Sequence, residues 1–375
     1  MNIEPLLNIY KVNLKVKSSE RVLLFTDLIR EDEILSESEK NRRLGLKEIA
    51  KILKNIGKNL CKELIYFEYP SLGSHGMEPP KSLWELAFGK KAISELEKEN
   101  ILSKLLSKKV SKRELKIAKK IIKKYKADAV NVVLALSNFS TSHTNFRDLL
   151  TKCCGTRYAS MPLFDPLMLD GAMLADWRKV KTISEKIKKI LEQVEKIKIE
   201  TSNTTEITLY RGKRKIYVDS GVLTRKGSFG NLPAGEVFFA PLENSAQGRL
   251  VIEWAPTRKL KNPLILNVKN GKVISIDGDE PFKEELEKKL YERDENRNIA
   301  ELGIGTNDKA MRPDNILESE KILGTVHIAI GDNSSFGGKV RTPFHQDFIF
   351  FEPTVYGITS DNHKIKILEK GYLMI

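Results

Sequence analysis

Short apolar runs alternate with helical stretches along the first half of the chain. Four of these runs, RVLLFTD, ELIYFEYP, ADAVNVVLALSN and RYASMP, predict buried strands at residues 21–27, 63–70, 127–138 and 157–162. The stretches between them predict helices at residues 38–60, 82–126 and 144–155. The long helical stretch breaks near Gly89 and Asn100, and Gly155 ends the last helix. Strands that alternate with helices form a parallel sheet with both faces covered, so residues 1–165 are predicted to be an α/β domain.

The second half of the chain has a different pattern. A polar helical stretch over 166–199 is predicted to connect two domains, and the apolar runs after residue 200 are short and strand-like. The Asn-Gly pair in NVKNGKVISI predicts a hairpin, and PFKEELEKKLYERDEN predicts a helix at 281–296. Residues 200–375 are therefore predicted to form a mainly antiparallel β domain of the α+β kind.

Composition narrows the class of protein. The chain has 375 residues, of which 41% are hydrophobic and 30% charged, enough apolar material for two domains. It has no run of 18 apolar residues that would span a membrane, and its first residues lack the features of a signal peptide. We therefore expect a cytoplasmic protein. Three cysteines without C-x-x-C spacing predict free thiols rather than a zinc ribbon or a disulfide scaffold.

The net charge of +14 raises the question of a nucleic-acid partner. The densest basic segment, residues 107–129, carries Val110, Leu115 and Ile117 at helical spacing, which predicts an amphipathic helix with a solvated lysine face. Aromatic-rich RNA-binding signatures and helix-turn-helix signals are missing. The charge therefore does not favour nucleic acid, and the abundance of Lys, Glu and Ile is typical of thermophile proteins.

Candidate chemistry is concentrated in the second half, where polar residues interrupt apolar strands: Glu236, Glu301, His327, His345 and Asp347. His345 and Asp347 are two positions apart, so on a strand they point to one face and can reach one ion. Imidazole with carboxylate suits zinc, cobalt, manganese or iron. Five ligands exceed the need of one tetrahedral site, which favours two adjacent ions. Each residue alone also has an ordinary reading, as a core histidine or a salt-bridged glutamate.

Four segments in this half, NLPAGEVFFAP, AELGIGTN, LGTVHIAIG and TPFHQDF, resemble in the same order the signature segments of the thermophilic aminopeptidase family, of the aminopeptidase T and aminopeptidase S type. The resemblance runs over about 225–350. It implies an N-terminal α/β domain, a C-terminal domain with two cocatalytic divalent ions (zinc, cobalt or manganese), and homodimers that release N-terminal residues from peptides.

Carried over residue by residue, the resemblance makes Glu236 the first carboxylate ligand and Glu301 a second, bridging or base-like carboxylate. His327 matches the ligand histidine on a strand, and His345 with Asp347 matches the closing His-x-Asp pair. The implied reaction is amide hydrolysis by a metal-activated water, with Glu236 or Glu301 accepting the proton of that water.

One departure from the family pattern lies in the loop GDNSSFGGK. The family has a tyrosine there, whereas this chain offers Ser334 and Ser335 as substitute donors to the substrate. The loop SSFGGKVRTPFH also resembles that of the ring-opening dihydroxypyridine dioxygenases, which hold a single iron with two histidines and a carboxylate. Those enzymes place histidine where this chain has Glu301 and lack the acid at Glu236, so the ligand set here is closer to that of the peptidases.

A second polar cluster, STSHTN, follows a predicted central strand of the first domain, where ligands of open α/β sheets bind. His143 and Arg147 are candidates to bind an anionic or carboxylate group there. The alternative is that Thr141, Ser142 or Thr144 merely caps the helix that follows. If the cluster is functional without a metal, the protein is a basic ligand-binding or nucleic-acid-binding protein rather than an enzyme.

Overall fold

The computed structural model describes residues 2–375. Its strands are, in chain order, β1 (Arg21–Leu28), β2 (Glu63–Pro70), β3 (Val132–Ala135), β4 (Arg157–Ser160), β5 (Lys196–Glu200), β6 (Glu206–Tyr210), β7 (Tyr217–Asp219), β8 (Phe229–Asn231), β9 (Glu236–Phe239), β10 (Gln247–Ala255), β11 (Arg258–Lys269), β12 (Lys272–Asp277), β13 (Ile299–Gly305), β14 (Val326–Gly331), β15 (His345–Phe350), β16 (Thr354–Ile358), β17 (Lys364–Glu369) and β18 (Tyr372–Leu373). Its α-helices are α1 (Glu4–Asn8), α2 (Glu37–Lys58), α3 (Lys81–Phe88), α4 (Lys90–Lys98), α5 (Leu102–Leu106), α6 (Lys112–Lys124), α7 (Asn145–Leu149), α8 (Trp177–Gln193), α9 (Phe282–Glu292) and α10 (Ile316–Ser319).

The chain divides into two compact units. The first contains the residues up to Leu174 together with Gly221–Pro233, and the second contains Ala175–Ser220 and Ala234–Ile375. The segment predicted as one connecting helix at 166–199 is not a single helix. Pro166–Asp170 and Ala172–Leu174 form short 3-10 helices in the first unit, and α8 and β5 follow in the second.

The first unit is built on a five-stranded parallel sheet in the order β2-β1-β3-β4-β8. Its three central strands, β1, β3 and β4, are buried on both faces because helices cover both. Leu23 and Phe25 of β1 pack with α3, α4 and α6 in one apolar cluster, while α2 contacts β1 and β2. Serine caps begin the helices that the sequence predicts: Ser36 accepts from the Glu39 N–H, and Ser111 from the Glu114 N–H.

The second unit contains two antiparallel sheets. One has eight strands in the order β12-β11-β10-β6-β5-β16-β17-β18, and the other five in the order β15-β14-β13-β9-β7. Alternate residues of both sheets join a single apolar cluster with Ile187 and Leu191 of α8. Asn270 and Gly271 turn the chain from β11 into β12 with φ of 50° and 72°, as the Asn-Gly pair predicts.

The predicted fold class is confirmed, an α/β unit with a parallel sheet and a mainly antiparallel unit. One strand, β8, belongs to a different sheet from the one predicted. β8 lies in the half predicted to be antiparallel, yet it pairs in parallel with β4 and extends the first sheet. It is only three residues long, too short to show a periodicity that would assign it to a sheet.

Candidate metal centre

The five-stranded antiparallel sheet has one apolar face and one polar face. Successive side chains of a strand point to opposite faces, and the residues of β9, β13, β14 and β15 that enter the apolar core are Val237, Phe239, Leu302, Ile304, Ile328, Ile330, Phe348 and Phe350. The residues that alternate with them form the other face. This face carries the five residues that the sequence singles out, Glu236, Glu301, His327, His345 and Asp347, together with small residues such as Gly303 and Ala329.

Small residues make room on the polar face. His327 of β14 is paired with Gly303 of β13, and a Cβ atom at Gly303 would lie 2.0 Å from the His327 Nε2 atom. The imidazole therefore lies against the bare backbone of Gly303. Ala329 occupies the position between Glu301 and Asp347 in the cross-strand row, and its short side chain leaves space between the two carboxylates.

The polar side chains converge at distances that are too long for good hydrogen bonds. His327 Nε2 lies 3.3 Å from Glu236 Oε2 and 3.5 Å from Glu301 Oε1. His345 Nε2 lies 3.6 Å from Glu301 Oε2 and 3.6 Å from Asp347 Oδ1. Glu301 thus extends its two oxygens to two different histidines.

These distances fit the edges of a metal coordination shell. Bonds of about 2.0–2.1 Å in a tetrahedral shell place neighbouring ligand atoms about 3.3–3.4 Å apart. Three groups of residues each have ligand atoms within 4.8 Å of one another: Glu236 with Glu301 and His327, Glu301 with His345 and Asp347, and Glu320 with His327 and Asp347. The first two groups, which consist of the five candidate ligands, both include Glu301, so these residues fit either one ion or two ions that share this carboxylate.

The two histidines have different surroundings. His345, whose side chain is 33% exposed, has its Nδ1 atom 2.8 Å from the carbonyl oxygen of Asp332. Because a carbonyl only accepts, Nδ1 carries a proton, and in the neutral ring Nε2 is then the nitrogen whose lone pair can bind an ion. His327 is fully buried, and within residues 2–375 neither of its ring nitrogens makes a hydrogen bond. A buried imidazole without a partner is costly, and an ion bound to Nε2 would satisfy one nitrogen.

The sequence analysis missed two charged residues of this cluster, Glu320 and Lys321, in the segment between α10 and β14. Lys321 is fully buried and its Nζ atom donates to Glu236 Oε1 at 2.7 Å and also to Glu320 Oε1. A carboxylate oxygen of Glu320 lies within 4.8 Å of ligand atoms of His327 and Asp347. In the sequence ESEKIL these residues resemble an exposed helix surface, so no local signal indicates their burial.

The concentration of charge shifts several pKa values. Burial by itself lowers the pKa of both histidines, but the carboxylates outweigh burial and raise the pKa of His327 to about 9 and that of His345 to about 10. Burial would raise the pKa of Asp347, yet His345 lowers it to about 2. For Glu320 burial dominates and raises the pKa to about 8. Without an ion the cluster therefore holds protons on its imidazoles at neutral pH.

The loop between β14 and β15, residues 332–344, borders the centre. Its Phe336 ring lies edge-on to His345, with centroids 6.1 Å apart, and edge-on to Phe238, with centroids 5.8 Å apart. Ser334 is exposed, and its hydroxyl lies 3.1 Å from each carboxylate oxygen of Asp332. Ser335 is exposed as well. An aromatic side chain thus contacts the ligand histidine, while the two serines face solvent.

The residues of the second candidate cluster, His143 and Arg147, lie in the first unit, whereas the five candidate ligands lie in the second. The Thr144 hydroxyl accepts from the Arg147 N–H at 3.1 Å, so Thr144 is the N-cap of α7. Arg147 donates from Nε to the Ser142 carbonyl at 2.7 Å, pairs with Asp148, and lies 4.3 Å from the centre of the Phe229 ring. These contacts give Thr144 and Arg147 a structural role, and the binding of an anionic group by His143 and Arg147 stays a prediction.

Among residues 2–375, no helix combines the length and the apolar character that a transmembrane segment requires. The observation agrees with the sequence, which has no long apolar run.

The polar face of the five-stranded sheet has the donors, and the spacing between them, that could hold a divalent metal ion. The family model of the thermophilic metalloproteases (M29) matches residues 106–373, and the chain belongs to that family. The resemblance found in the sequence is thereby confirmed. None of the curated proteins compared matches the chain.

Two solved structures share the fold over nearly the whole chain. One is the 2,5-dihydroxypyridine dioxygenase from Pseudomonas putida, with a TM-score of 0.68 and 16% identity over 99% of this chain and 96% of the other. The second is AmpT from Thermus thermophilus, with a TM-score of 0.56 and 12% identity over 99% of this chain and 98% of the other. At these identities the similarity is one of fold.

Proposed function

We propose that the protein is a metal-dependent aminopeptidase that removes N-terminal residues from peptides. The observation that carries the proposal is the position of Glu301, with one oxygen 3.5 Å from His327 Nε2 and the other 3.6 Å from His345 Nε2. Membership of the metalloprotease family supports a peptidase. Zinc, cobalt and manganese all accept such a donor set.

The candidate residues have three proposed roles: metal binding, proton transfer and substrate binding. Glu301, His345 and Asp347 would hold one ion, and Glu236, Glu301 and His327 a second. The chemistry that divalent ions held by these residues would supply is a lowered pKa of a bound water and polarisation of the scissile carbonyl. Glu236 and Glu301 are the candidates to accept the proton of that water and to pass it to the leaving amine. The exposed Ser334 and Ser335, with backbone N–H groups of the glycine-rich loop, are proposed as donors to the substrate.

Two substitutions test the proposal, Glu301→Ala and His345→Ala, each assayed on aminoacyl amides in the presence of Mn²⁺, Co²⁺ or Zn²⁺. We expect kcat/KM to fall at least about 100-fold in both, because each variant loses a ligand. The matched control is His363→Ala, an exposed histidine of the same unit, which is expected to keep full activity. Hydrolysis that is undiminished in Glu301→Ala and His345→Ala would refute the site.

The substrate class needs its own comparison. An aminopeptidase recognises the free α-amino group, so the unblocked aminoacyl amides should be cleaved and their N-acetylated counterparts should not. Equal cleavage of both would indicate a peptidase without this exopeptidase specificity. Homodimers, implied by the family resemblance, are part of the proposal, and light scattering on the purified protein tests them.

The fold is also that of an iron dioxygenase, but the donor set does not favour that reaction. The facial triad of non-haem iron oxygenases has two histidines and one carboxylate, whereas each converging group here has one histidine and two carboxylates. If the protein consumed oxygen in the presence of Fe²⁺ and 2,5-dihydroxypyridine, a dioxygenase would be favoured over a peptidase.

A further inference from the structure

Lys321 brings a positive charge into the middle of a candidate metal centre. Its side chain is fully buried, and its Nζ atom lies 2.7 Å from Glu236 Oε1 and also contacts Glu320 Oε1. A buried ammonium group is stable only where carboxylates pair with it. This cation is therefore a fixed part of the acidic cluster, held by the same carboxylates that an ion would use.

The lysine limits what Glu236 can offer to an ion. One oxygen of Glu236 accepts the hydrogen bond from Lys321, and only the other, 3.3 Å from His327 Nε2, is directed at the centre. Glu320, whose carboxylate lies near His327 and Asp347, is likewise bonded to Lys321. The half of the centre around His327 thus contains a resident cation and a carboxylate restricted to one oxygen.

The other half of the centre has no such restriction. In residues 2–375 the ion pairs of Glu301 and Asp347 are with the two histidines. The Nε2 atom of His345 is directed inward because the Asp332 carbonyl holds the opposite nitrogen. This half offers three ligand atoms, and the hydrogen bonds of the Lys321 ammonium group go to Glu236 and Glu320 instead.

We propose that Lys321 makes the two metal positions unequal. The first ion binds tightly between Glu301, His345 and Asp347. The second, between Glu236, Glu301 and His327, binds at least tenfold more weakly, since the lysine repels it and holds one oxygen of Glu236. This inference rests on the proposed metal-dependent function and adds the order of loading and the residue that sets it.

Calorimetric titration of the metal-free protein with Mn²⁺ alone tests the inference. We expect two binding steps whose dissociation constants differ at least tenfold. In Lys321→Met the weaker step should tighten at least tenfold, while the stronger step stays within threefold. The control is Lys366→Met, which removes an exposed lysine paired with Glu369 on β17 and should leave both steps unchanged. A single step with two equivalent ions, or an unchanged weaker step in Lys321→Met, would overturn the inference.

Lys321→Met leaves two buried carboxylates without a partner, so it can fail to fold without metal. Two other variants keep the inference testable. His327→Ala should lose only the weaker step, and His345→Ala should lose the stronger step and keep a weak one. The reverse pattern would contradict the assignment of the halves.

The result also separates this inference from the proposed function. If the wild-type protein binds no Mn²⁺, the proposed metal-dependent function fails. If it binds two equivalent ions and hydrolyses aminoacyl amides, the function stands and only the role of Lys321 is wrong.

Discussion

Glu301 and Gly303 are two positions apart on β13 and share the polar face of the sheet. Glu301 supplies the carboxylate that reaches both histidines, and Gly303 supplies the empty space in which the His327 ring lies. Both the carboxylate of Glu301 and the missing side chain at Gly303 determine where the His327 Nε2 atom lies, because a Cβ atom at Gly303 would overlap the ring.

Gly303→Ala tests that requirement. The added methyl carbon would fall 2.0 Å from His327 Nε2, so the ring must move, and we expect the affinity for the ion at His327 to fall at least tenfold. Mn²⁺ titration measures it. Leu302→Val is the control on the same strand, because its side chain points into the apolar core. It should reduce the free energy of unfolding by about 1 kcal/mol with metal binding intact. Unchanged metal affinity in Gly303→Ala would show that the ring position is not critical.

Proton release gives a second prediction at the scale of residues. Because the pKa of His327 is raised to about 9 and that of His345 to about 10, both imidazoles are protonated at pH 7 in the metal-free protein. Ions bind neutral imidazole, so loading both positions at pH 7 should release about two protons. The apparent affinity should therefore rise with pH up to about 9–10. Titrations in two buffers of different ionisation enthalpy count the protons, and binding without proton release would contradict the raised pKa values.

The sequence indicates that the five candidate ligands could share one site, but it does not indicate that Glu320 and Lys321 lie beside them. His345 and Asp347 are two apart on a strand, and this spacing alone places them on one face. Glu320 and Lys321 have no such signal, since their burial depends on where the segment after α10 packs. The capping role of Thr144 was one of two readings that the sequence left open.

At the scale of elements, the centre depends on the loop over residues 332–344. Glu243 anchors it, accepting from the Lys339 N–H at 2.7 Å and from Asn333 Nδ2 at 3.4 Å. Arg214 pairs with Glu243 and also donates to the Gly337 carbonyl. These contacts hold the loop in which the Phe336 ring lies against His345.

Removal of this anchor by Glu243→Ala should therefore affect substrate binding more than metal binding. We expect faster hydrogen exchange of the backbone N–H groups of residues 333–340 and a several-fold higher KM, with less than a threefold change in the tight Mn²⁺ step. Exchange measured by mass spectrometry reports the loop directly. Glu369→Ala is the control, since it removes an exposed carboxylate that pairs with Lys366. An unaltered exchange rate in the loop would mean that Glu243 does not anchor it.

The sequence predicts a strand or a turn correctly where the signal lies within the segment itself, as an apolar run or a pair of turn residues. β1 and β2 and the Asn-Gly hairpin fall where the apolar runs and the turn residues place them. β8 could not be assigned in this way, because three residues carry no periodicity and their partner, β4, is about seventy positions earlier in the sequence. Pairing across such a separation depends on the whole fold rather than on the segment.

At the scale of the whole molecule, metal binding and stability should be linked. The like charges on the carboxylates of Glu236, Glu301 and Asp347 oppose folding unless cations compensate them. Lys321 supplies one positive charge, and without an ion the protonated imidazoles of His327 and His345 supply others. At a free Mn²⁺ concentration 100 times its dissociation constant, a bound ion should raise the free energy of unfolding by about 2.7 kcal/mol. Thermal melting with Mn²⁺ and with a chelator measures the difference, and equal melting temperatures would exclude specific binding to the folded state.

Anomalous diffraction from a crystal of the Mn²⁺-loaded protein tests the central claim most directly. We expect an anomalous-difference peak within about 2.0–2.3 Å of ligand atoms of Glu301, His345 and Asp347. At high Mn²⁺ concentration we expect a second, weaker peak beside His327. A protein that hydrolyses aminoacyl amides while its ions lie away from the polar face of the five-stranded sheet would contradict it.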